Sequence, residues 1–516
     1  MTKHKSNLRF FLLTLLVFVG LSAATIGKWS VWHDEGFSAM TIEYGPRQIV
    51  MRTAHDVHPP LYYLLLKGWS LVFGDSIVAL RSMSLVCMAA AILLTMYLMQ
   101  RQFGERAARW SAIILVGSPM LLRYSQEARM YGVLALLSVG ATYAFLANMK
   151  KPVLWRTVVY FLLITAIIYT QYFGILVLVA HKLILLWEVK RSKQPAGLKQ
   201  WFREAWTAFW HTYRWYSYSV IGMGLAFLPW LPKLRHQFGD VQNGFWIGPV
   251  SYRTPFSTLS NIFWLRQEWQ LNHWYSVAFI CLLVALVWFW RALRNKEGVQ
   301  NSLRPLIVIL LTTPVLLVVL SLPPLNSVFH ERYLVSILPL FYGLVGAGWF
   351  YYIKANPKSR KVWFATVALL GSLVYGISNA MIWGNNTGWF SKDYFSMKQL
   401  STYVRENRRS DDTIVSSSLW TWYDARYYER HGVTSPEFRL YEPKLQPQPI
   451  GNMALMYDRQ DLMIHDPNDL EIKNGRVWVF EENQEKIKIP LTWHKTDYGL
   501  QKGYAKVTLY TVDKDE

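Results

Sequence analysis

Apolar runs separated by short polar stretches follow one another along most of the chain, a pattern typical of a protein that crosses a membrane many times. Most of these runs approach the roughly 20 apolar residues that a membrane-spanning helix needs, although the run at 109–122 is short. The runs lie at residues 9–29, 77–99, 109–122, 129–148, 157–171, 173–188, 215–231, 274–290, 304–322, 333–352 and 362–382. The pattern therefore predicts an α-helical polytopic membrane protein with about 11 transmembrane helices.

Two stretches depart from this pattern. Residues 59–73 are apolar and begin with two prolines but are too short to span, which predicts a helix lying along the membrane interface. Beyond residue 385 the polarity is mixed. There the sequence predicts helices at 394–408 and 420–431 and strands at 413–419, 438–441, 476–480 and 505–512. We therefore expect a transmembrane domain at residues 1–384 and a small α/β domain at residues 385–516.

Composition and charge narrow the class of protein further. Apolar residues make up 52% of the chain and charged residues 17%, yet the net charge is +21. Lys and Arg occur in short loops between apolar runs rather than on a basic soluble face. We therefore expect the lipid bilayer, and not a nucleic acid, as a partner. Cys87 and Cys281 both lie in apolar segments, which indicates small hydrophobic side chains rather than a disulfide.

The same basic residues predict the orientation of the helices. They cluster on one side of the expected spans, around residues 3–9, 101–109, 150–156, 190–214, 291–296 and 354–361. The positive-inside rule makes this side cytoplasmic. The first run also resembles a signal peptide, but further spans follow, so we interpret it as a retained helix. The prediction is a multi-pass plasma-membrane protein with a cytoplasmic N-terminus and an extracytoplasmic C-terminal domain.

Candidate chemistry lies in the loops of the opposite, outer side. Asp34 and Glu35 follow the first span directly, where two carboxylates are costly to desolvate and therefore indicate function. Four motifs stand in outer loops, in this order: Asp34-Glu35, His58-Pro59-Pro60-Leu61-Tyr62-Tyr63, Ser125-Gln126-Glu127-Ala128-Arg129-Met130-Tyr131 and Glu331-Arg332-Tyr333-Leu334. In order and topology, residues 8–382 resemble the GT-C membrane glycosyltransferases, in particular bacterial relatives of protein O-mannosyltransferases and of lipid A aminoarabinose transferases.

This resemblance implies a GT-C-like fold and an inverting transfer of a sugar from a polyprenyl-phosphate donor to a hydroxyl acceptor outside the membrane. The acceptor would belong to a cell-envelope glycan, a lipid or a protein. Asp34 matches the first acidic position of the family and is predicted to be the catalytic base, with Glu35 beside it in the catalytic site. Binding of the substrate and its lipid phosphate is predicted for His58, Glu127, Arg129, Arg332 and Tyr333, because Arg holds phosphate oxygens bidentately. Glu35 and Glu127 are candidates for orienting the acceptor, holding the arginines or tuning the base.

Other interpretations remain open at this stage. Outward His and Asp side chains at 33, 55, 56, 58 and 330 are workable metal ligands, but no pair has the spacing of a strong zinc motif. We therefore predict no cofactor and leave a divalent metal as an alternative.

Outward carboxylates also suit a transporter or lipid flippase, which would predict ionisable residues within spans and paired halves. A membrane scaffold or sensor would leave the loop motifs unexplained. Trp246, Trp264, Trp269 and Trp274 suit an interface belt or a sugar platform.

Overall fold

The computed structural model describes residues 2–195, 197–243, 247–265, 299–383, 397–429, 438–443, 454–456, 459–482, 486–503 and 505–513. Several predictions lie outside these ranges: the span at 274–290, the boundary between residues 384 and 385, Cys281, and the tryptophans at 246, 269 and 274. Trp264 is described, and its Nε1 donates to Ser372 Oγ at 2.6 Å.

Helical structure is present in every predicted span that the structure describes. Their bounds are α1 (Thr2–Ala23), α2 (His33–Thr41), α3 (Pro46–Thr53), α4 (Leu61–Phe73), α5 (Ile77–Phe103), α6 (Glu105–Val116), α7 (Pro119–Tyr124), α8 (Tyr131–Lys150), α9 (Leu154–Thr170), α10 (Ile175–Lys193), α11 (Leu198–Trp210), α12 (Arg214–Phe227), α13 (Leu231–Asn243), α14 (Thr254–Trp264), α15 (Val299–Val319), α16 (Leu338–Ala355) and α17 (Arg360–Trp383). Among the described residues, five segments are long and apolar enough to cross a membrane: 77–103, 131–150, 172–193, 299–319 and 360–382. The count of about 11 spans stays a prediction.

One predicted span is divided in the structure. The run at 109–122 forms α6 and α7, with a break at Gly117 and Ser118. Pro119 is the first residue of α7, and a proline disfavours the helical conformation of the residue before it. Ser118 accordingly has extended backbone angles (φ −80°, ψ 116°). The predicted span at 109–122 thus consists of two helices, and the chain turns here before the Ser125–Tyr131 motif.

The connection between α1 and α5 is more ordered than the sequence indicated. The predicted short apolar helix is present as α4, but α2 and α3 were not predicted. Pro46 starts α3 at a position where its missing N–H costs nothing, and Gln48 caps the helix through the Gly45 N–H. The acidic pair consequently stands in the first turn of a helix rather than in a loop.

Close helix packing brings the chemically interesting ends together. Gly132 lies at the start of α8 against the backbone of α5, where an added Cβ would stand 2.6 Å from the Ser84 carbonyl oxygen. Ser84 Oγ in turn donates to the Arg129 carbonyl at 3.2 Å. Since no larger side chain fits at Gly132, this contact fixes the turn that carries Arg129 next to the first turns of α5.

Within its described residues, the C-terminal region contains a six-stranded mixed sheet and two α-helices, α18 (Met397–Asn407) and α19 (Leu419–Glu429). Its strands are β1 (Thr413–Ser416), β2 (Phe438–Tyr441), β3 (Met463–Ile464), β4 (Arg476–Glu482), β5 (Trp493–Lys502) and β6 (Ala505–Val512), in the order β3-β2-β1-β4-β6-β5. The four predicted strands are present, and β3 and β5 were missed. β1 to β4 pair in parallel, whereas β6 runs antiparallel to β4 and β5.

Candidate active site

Three distant chain segments meet at one end of the transmembrane helices. They are the first turn of α2, the turn before α8, and the short 3-10 helix at Glu331–Ser336 before α16. Each of these segments precedes or begins a helix, so several helix N-termini point to the same region and favour negative charge there. The segments carry Asp34, Arg129 and Arg332, which the structure brings into one cluster.

Asp34 is the centre of this cluster. Its Oδ2 lies 3.3 Å from Arg332 Nη1 and 3.7 Å from Arg129 Nε. Burial raises the pKa of this carboxyl, but the two guanidinium groups outweigh burial and hold the pKa below its ordinary value. Its side chain keeps 20% of its surface exposed, so a ligand can reach it. In this state Asp34 is an ionised carboxylate shared by two arginines.

Arg129 is almost fully buried and is held from several sides. Its Nη1 donates to the Tyr63 hydroxyl at 3.2 Å, to Ser38 Oγ at 3.3 Å and to the Asp34 carbonyl at 3.2 Å. His58 Nε2 lies 3.5 Å from Arg129 Nη2, while His58 Nδ1 contacts Asp56 Oδ2 at 3.0 Å. The α2 and α4 region therefore positions the guanidinium group through neutral groups as well as through Asp34.

Arg332 approaches from the opposite side of Asp34. Its Nη1 lies 3.4 Å from the Tyr131 hydroxyl, and its Nη2 lies 3.3 Å from His330 Nε2. Burial and the neighbouring Arg332 lower the pKa of His330 to about 3, so this imidazole is neutral and accepts from the guanidinium group. Tyr333 is buried beside the cluster, with its ring centroid 4.5 Å from that of Phe173.

Glu35 faces away from this cluster. Both of its carboxylate oxygens accept from Arg81, at 2.8 Å from Nε and 2.6 Å from Nη2, and Oε1 also accepts from the Ala128 N–H at 2.8 Å. Arg81 uses its remaining donors on the carbonyls of Ile26, Trp29 and Ser30. Both side chains are fully buried. Neighbouring residues on a helix point about 100° apart, since a turn contains 3.6 residues, and the two acids therefore serve different partners.

Glu127 has a partner of its own within the predicted motif. Its Oε1 accepts from Arg123 Nε at 3.3 Å, and it is buried. Burial raises the pKa of Glu127 to about 7 although Arg123 opposes this shift. No hydrogen bond between Glu127 and Arg129 or Arg332 is present among the described contacts; its partner is Arg123, an arginine that the sequence analysis did not consider.

The C-terminal region contacts the acidic helix directly. An added Cβ at Gly36 would stand 2.9 Å from Asp424 Oδ1 and 3.0 Å from the Tyr423 backbone, so α19 packs on α2 as closely as a glycine permits. Burial, followed by the nearby Glu35 and Asp34, raises the pKa of Asp424 well above its ordinary value. The raised pKa favours the neutral form of Asp424, which reduces charge repulsion between α19 and the two acids.

Replacing Gly36 by alanine is expected to disturb this contact. The added methyl group overlaps the backbone of α19, and overpacking of this kind costs about 1–3 kcal/mol. Thermal unfolding in detergent and limited proteolysis of the C-terminal region are the measurements. Gly68→Ala is the matched control, because nothing lies within 4 Å of its added Cβ. Equal melting and equal protease resistance of both variants would contradict the packing argument.

A metal centre is not formed by the predicted candidates in the described ranges. Within them, no three His, Cys, Asp or Glu side chains come together as a ligand set. His58 and Asp56 contact each other, and His330 pairs with Glu331 at 3.2 Å. A divalent metal therefore stays an alternative prediction.

Several residues of the site were missed from the sequence. They are Arg81, Arg123 and Ser38, whereas Tyr63 belonged to a recognised motif but had no predicted role. Arg81 could have been recognised from the sequence, because it is a charged residue inside an apolar run, where an ion pair with a nearby acid is expected. Ser38 stands four residues after Asp34, which places both on one helix face once α2 is known.

Known proteins resemble this chain in both sequence and fold. Residues 57–199 match the family model of dolichyl-phosphate-mannose-protein mannosyltransferase, a range that includes His58, Arg81 and Arg129. No curated protein matches the chain significantly.

The fold is that of ArnT from Cupriavidus metallidurans. The apo crystal structure of ArnT aligns over 99% of this chain and 98% of its own, with a TM-score of 0.61 and 13% identity. The structure of the same protein bound to undecaprenyl phosphate aligns over 97% of both chains, with a TM-score of 0.59 and 13% identity. At this identity the likeness establishes the fold alone. Together, the family match and the fold confirm the predicted relationship to the GT-C glycosyltransferases.

Proposed function

We propose that this chain, as a relative of the GT-C membrane glycosyltransferases, transfers a sugar from a polyprenyl-phosphate donor to a hydroxyl acceptor on the outer face of the membrane. The observation that carries this proposal is the meeting of one reachable carboxylate, Asp34, with two buried or half-buried guanidinium groups, Arg129 and Arg332. A base beside fixed positive charge is what attack by a hydroxyl with departure of a phosphate requires.

The donor class follows from the two kinds of relative. The matching family is named after mannosyltransferases that use dolichyl-phosphate mannose. ArnT, which shares the fold, has been crystallised with undecaprenyl phosphate. Both ligands are long polyprenyl phosphates, whose chains require a membrane protein with an apolar surface near the site. The chain's own apolar helices meet this requirement. For a transporter or flippase, in contrast, no observation provides specific support.

The proposed reaction is a single displacement. The acceptor oxygen attacks the anomeric carbon of the sugar while its proton passes to the carboxylate of Asp34. The new carbon–oxygen bond forms as the bond between the anomeric carbon and the phosphate oxygen breaks, and the electron pair of that bond stays on the phosphate. Arg129 and Arg332 stabilise the charge that develops there. Attack from the side opposite the leaving phosphate inverts the configuration of the sugar.

The remaining predicted residues take supporting roles in this proposal. His58, held by Asp56, contacts Arg129, and Tyr333 is buried next to Arg332 in sequence, so both are assigned to the lipid-phosphate side of the site. Glu35, closed off by Arg81, holds the start of α2 against the turn that carries Arg129. We therefore propose a positioning role for Glu35 instead of direct catalysis. Glu127 holds Arg123 within the same turn.

The outer-face location is argued from the helix ends. Helices α5, α8, α10 and α16 begin near the site, and their last turns carry basic residues: Arg101, Lys150, Lys190, Arg191, Lys193 and Lys354. The positive-inside rule places those last turns in the cytoplasm. The site and the C-terminal sheet domain, which contacts α2, then lie outside. Labelling of a single cysteine introduced near the site with a membrane-impermeant reagent in intact cells tests this orientation.

Transfer itself is tested with purified protein in lipid nanodiscs. A mixture of undecaprenyl-phosphate sugars and candidate hydroxyl acceptors should release undecaprenyl phosphate only when protein, donor and acceptor are all present. Inverted stereochemistry in the product, read by NMR, supports the single displacement. Absence of release with a broad panel of polyprenyl-phosphate sugars would argue against the proposal.

Arg332→Ala is expected to weaken binding of undecaprenyl phosphate by about tenfold or more, because a hydrogen bond to a charged group contributes roughly 1.5–3 kcal/mol. Binding is measured by the change in intrinsic fluorescence or by native mass spectrometry. Arg47→Ala is the matched control, since Arg47 is exposed on α3. Unchanged affinity in the Arg332 variant would remove this residue from the phosphate site.

A further inference from the structure

We propose that Asp34 occupies the phosphate-binding arginines in the ligand-free protein, so that the arriving lipid phosphate displaces it and thereby frees the catalytic base. This inference rests on the proposed function and adds an order of events to it. The base becomes active only when the donor is in place.

Two ion pairs in the same region differ in the way this proposal requires. Glu35 and Arg81 form a bidentate pair at 2.6 and 2.8 Å, and neither side chain is exposed. Asp34 instead contacts both arginines through one oxygen at 3.3 and 3.7 Å, with 20% of its own side chain and 14% of that of Arg332 exposed. The first pair is closed to exchange, whereas the second is loose and open to a competing anion.

The arginines stay in place when Asp34 leaves them. Arg129 keeps its contacts with Tyr63, Ser38 and a backbone carbonyl. Arg332 keeps its contacts with the Tyr131 hydroxyl and the neutral His330 ring. These partners carry no negative charge, so a phosphate that replaces Asp34 meets two guanidinium groups that are already held in position.

The exchange changes the chemistry of Asp34. A carboxylate held by two guanidinium groups is a poor proton acceptor, as the lowered pKa of Asp34 indicates. Once phosphate takes the arginines, the carboxylate loses that stabilisation and lies beside a second negative charge, and both changes favour uptake of a proton. After transfer, Asp34 loses its proton and can again form ion pairs with the arginines. This competition helps to release the phosphate product.

Other charged groups around Asp34 set the background for this exchange. His33 precedes it on α2, His58 comes from the α4 side, and both act with the arginines to hold the carboxyl ionised. Glu331 lies beside Arg332 in sequence, but its carboxylate is engaged by Asn261 Nδ2 at 2.6 Å and by His330. Removing the Glu331 charge therefore changes the local field without vacating the Asp34 contacts.

The test is a binding experiment with undecaprenyl phosphate in nanodiscs. Wild type, Asp34→Asn, Asp34→Ser and the control Glu331→Gln are compared after thermal unfolding has shown that each is folded. We expect the two Asp34 variants to bind undecaprenyl phosphate about three- to tenfold more tightly than wild type, and Glu331→Gln to stay within about twofold. If Asp34 acted only as the catalytic base, its replacement would leave the affinity for undecaprenyl phosphate unchanged.

Each outcome separates this inference from the proposed function. Equal or weaker binding by both folded Asp34 variants would overturn the exchange while leaving the lipid-phosphate donor in place. Equal tightening by Glu331→Gln would also overturn it, because a general field effect would then suffice. Failure of wild type and all variants to bind undecaprenyl phosphate would count against the proposed function itself.

Discussion

Asp34→Asn should lower the turnover of sugar transfer by a factor of about 10² to 10⁴, the range in which a general base contributes. The amide cannot accept the acceptor's proton, although it has nearly the same size as the carboxylate. The effect should therefore appear in kcat with undecaprenyl-phosphate sugar and acceptor both saturating. Product formation over time, measured by mass spectrometry with purified protein, gives this number.

Asp75→Asn is the control for Asp34→Asn. Asp75 is an exposed residue in the turn before α5, and only its backbone carbonyl makes a described hydrogen bond, from Tyr427. Asp75→Asn removes the same negative charge as Asp34→Asn, but its turnover should stay near that of wild type. If Asp34→Asn also turned over within a few-fold of wild type, another group would have to accept the proton.

Arg81→Met should destabilise the protein by about 3–5 kcal/mol, since it leaves the carboxylate of Glu35 buried without its partner. The substitution preserves much of the side-chain volume, so the loss reports the uncompensated charge rather than a cavity. Transfer should fall as well, because the start of α2 and the Ala128 turn lose their common anchor. The measurement is the thermal unfolding of detergent-solubilised protein at neutral pH.

The double variant Arg81→Met/Glu35→Gln tests the cause of this loss. Removal of both charges leaves a neutral pair of similar shape, and such replacements of buried pairs are often nearly neutral. The double variant should therefore unfold at a higher temperature than Arg81→Met alone. If the two melted together, the hydrogen bonds of Arg81 to the carbonyls of Ile26, Trp29 and Ser30 would account for the loss instead.

The neighbouring acids illustrate how unequal two adjacent residues can be. Asp34 and Glu35 are consecutive in a helix, yet Asp34 contacts the buried Arg129 and the partly exposed Arg332, whereas Glu35 forms a fully buried pair with Arg81. The sequence predicted a special role for the pair but left the work of Glu35 undecided. Their different partners depend on where α5 and the turn before α8 lie. The residues next to 34 and 35 in sequence do not determine either position.

Segments with strong local patterns were predicted well. The apolar runs, the short helix at 61–73 and the strands at 438–441 and 505–512 were recognised because hydrophobic length and alternation are properties of neighbouring residues. Elements with weaker patterns were missed. Helix α2 is short and contains a glycine, and β5 is mostly exposed, so neither has a clear apolar period.

By itself, then, the sequence determined the class of protein, the approximate helices and the residues of chemical interest. It did so because the cost of placing polar groups in lipid acts on each segment independently. The tertiary structure alone decided the partners. Asp34 meets Arg332 across 298 positions of sequence, and Glu35 meets Arg81 across 46. Such pairings depend on helix packing at positions like Gly132 and Gly36, where contacts between distant segments, and not local preference, select one arrangement.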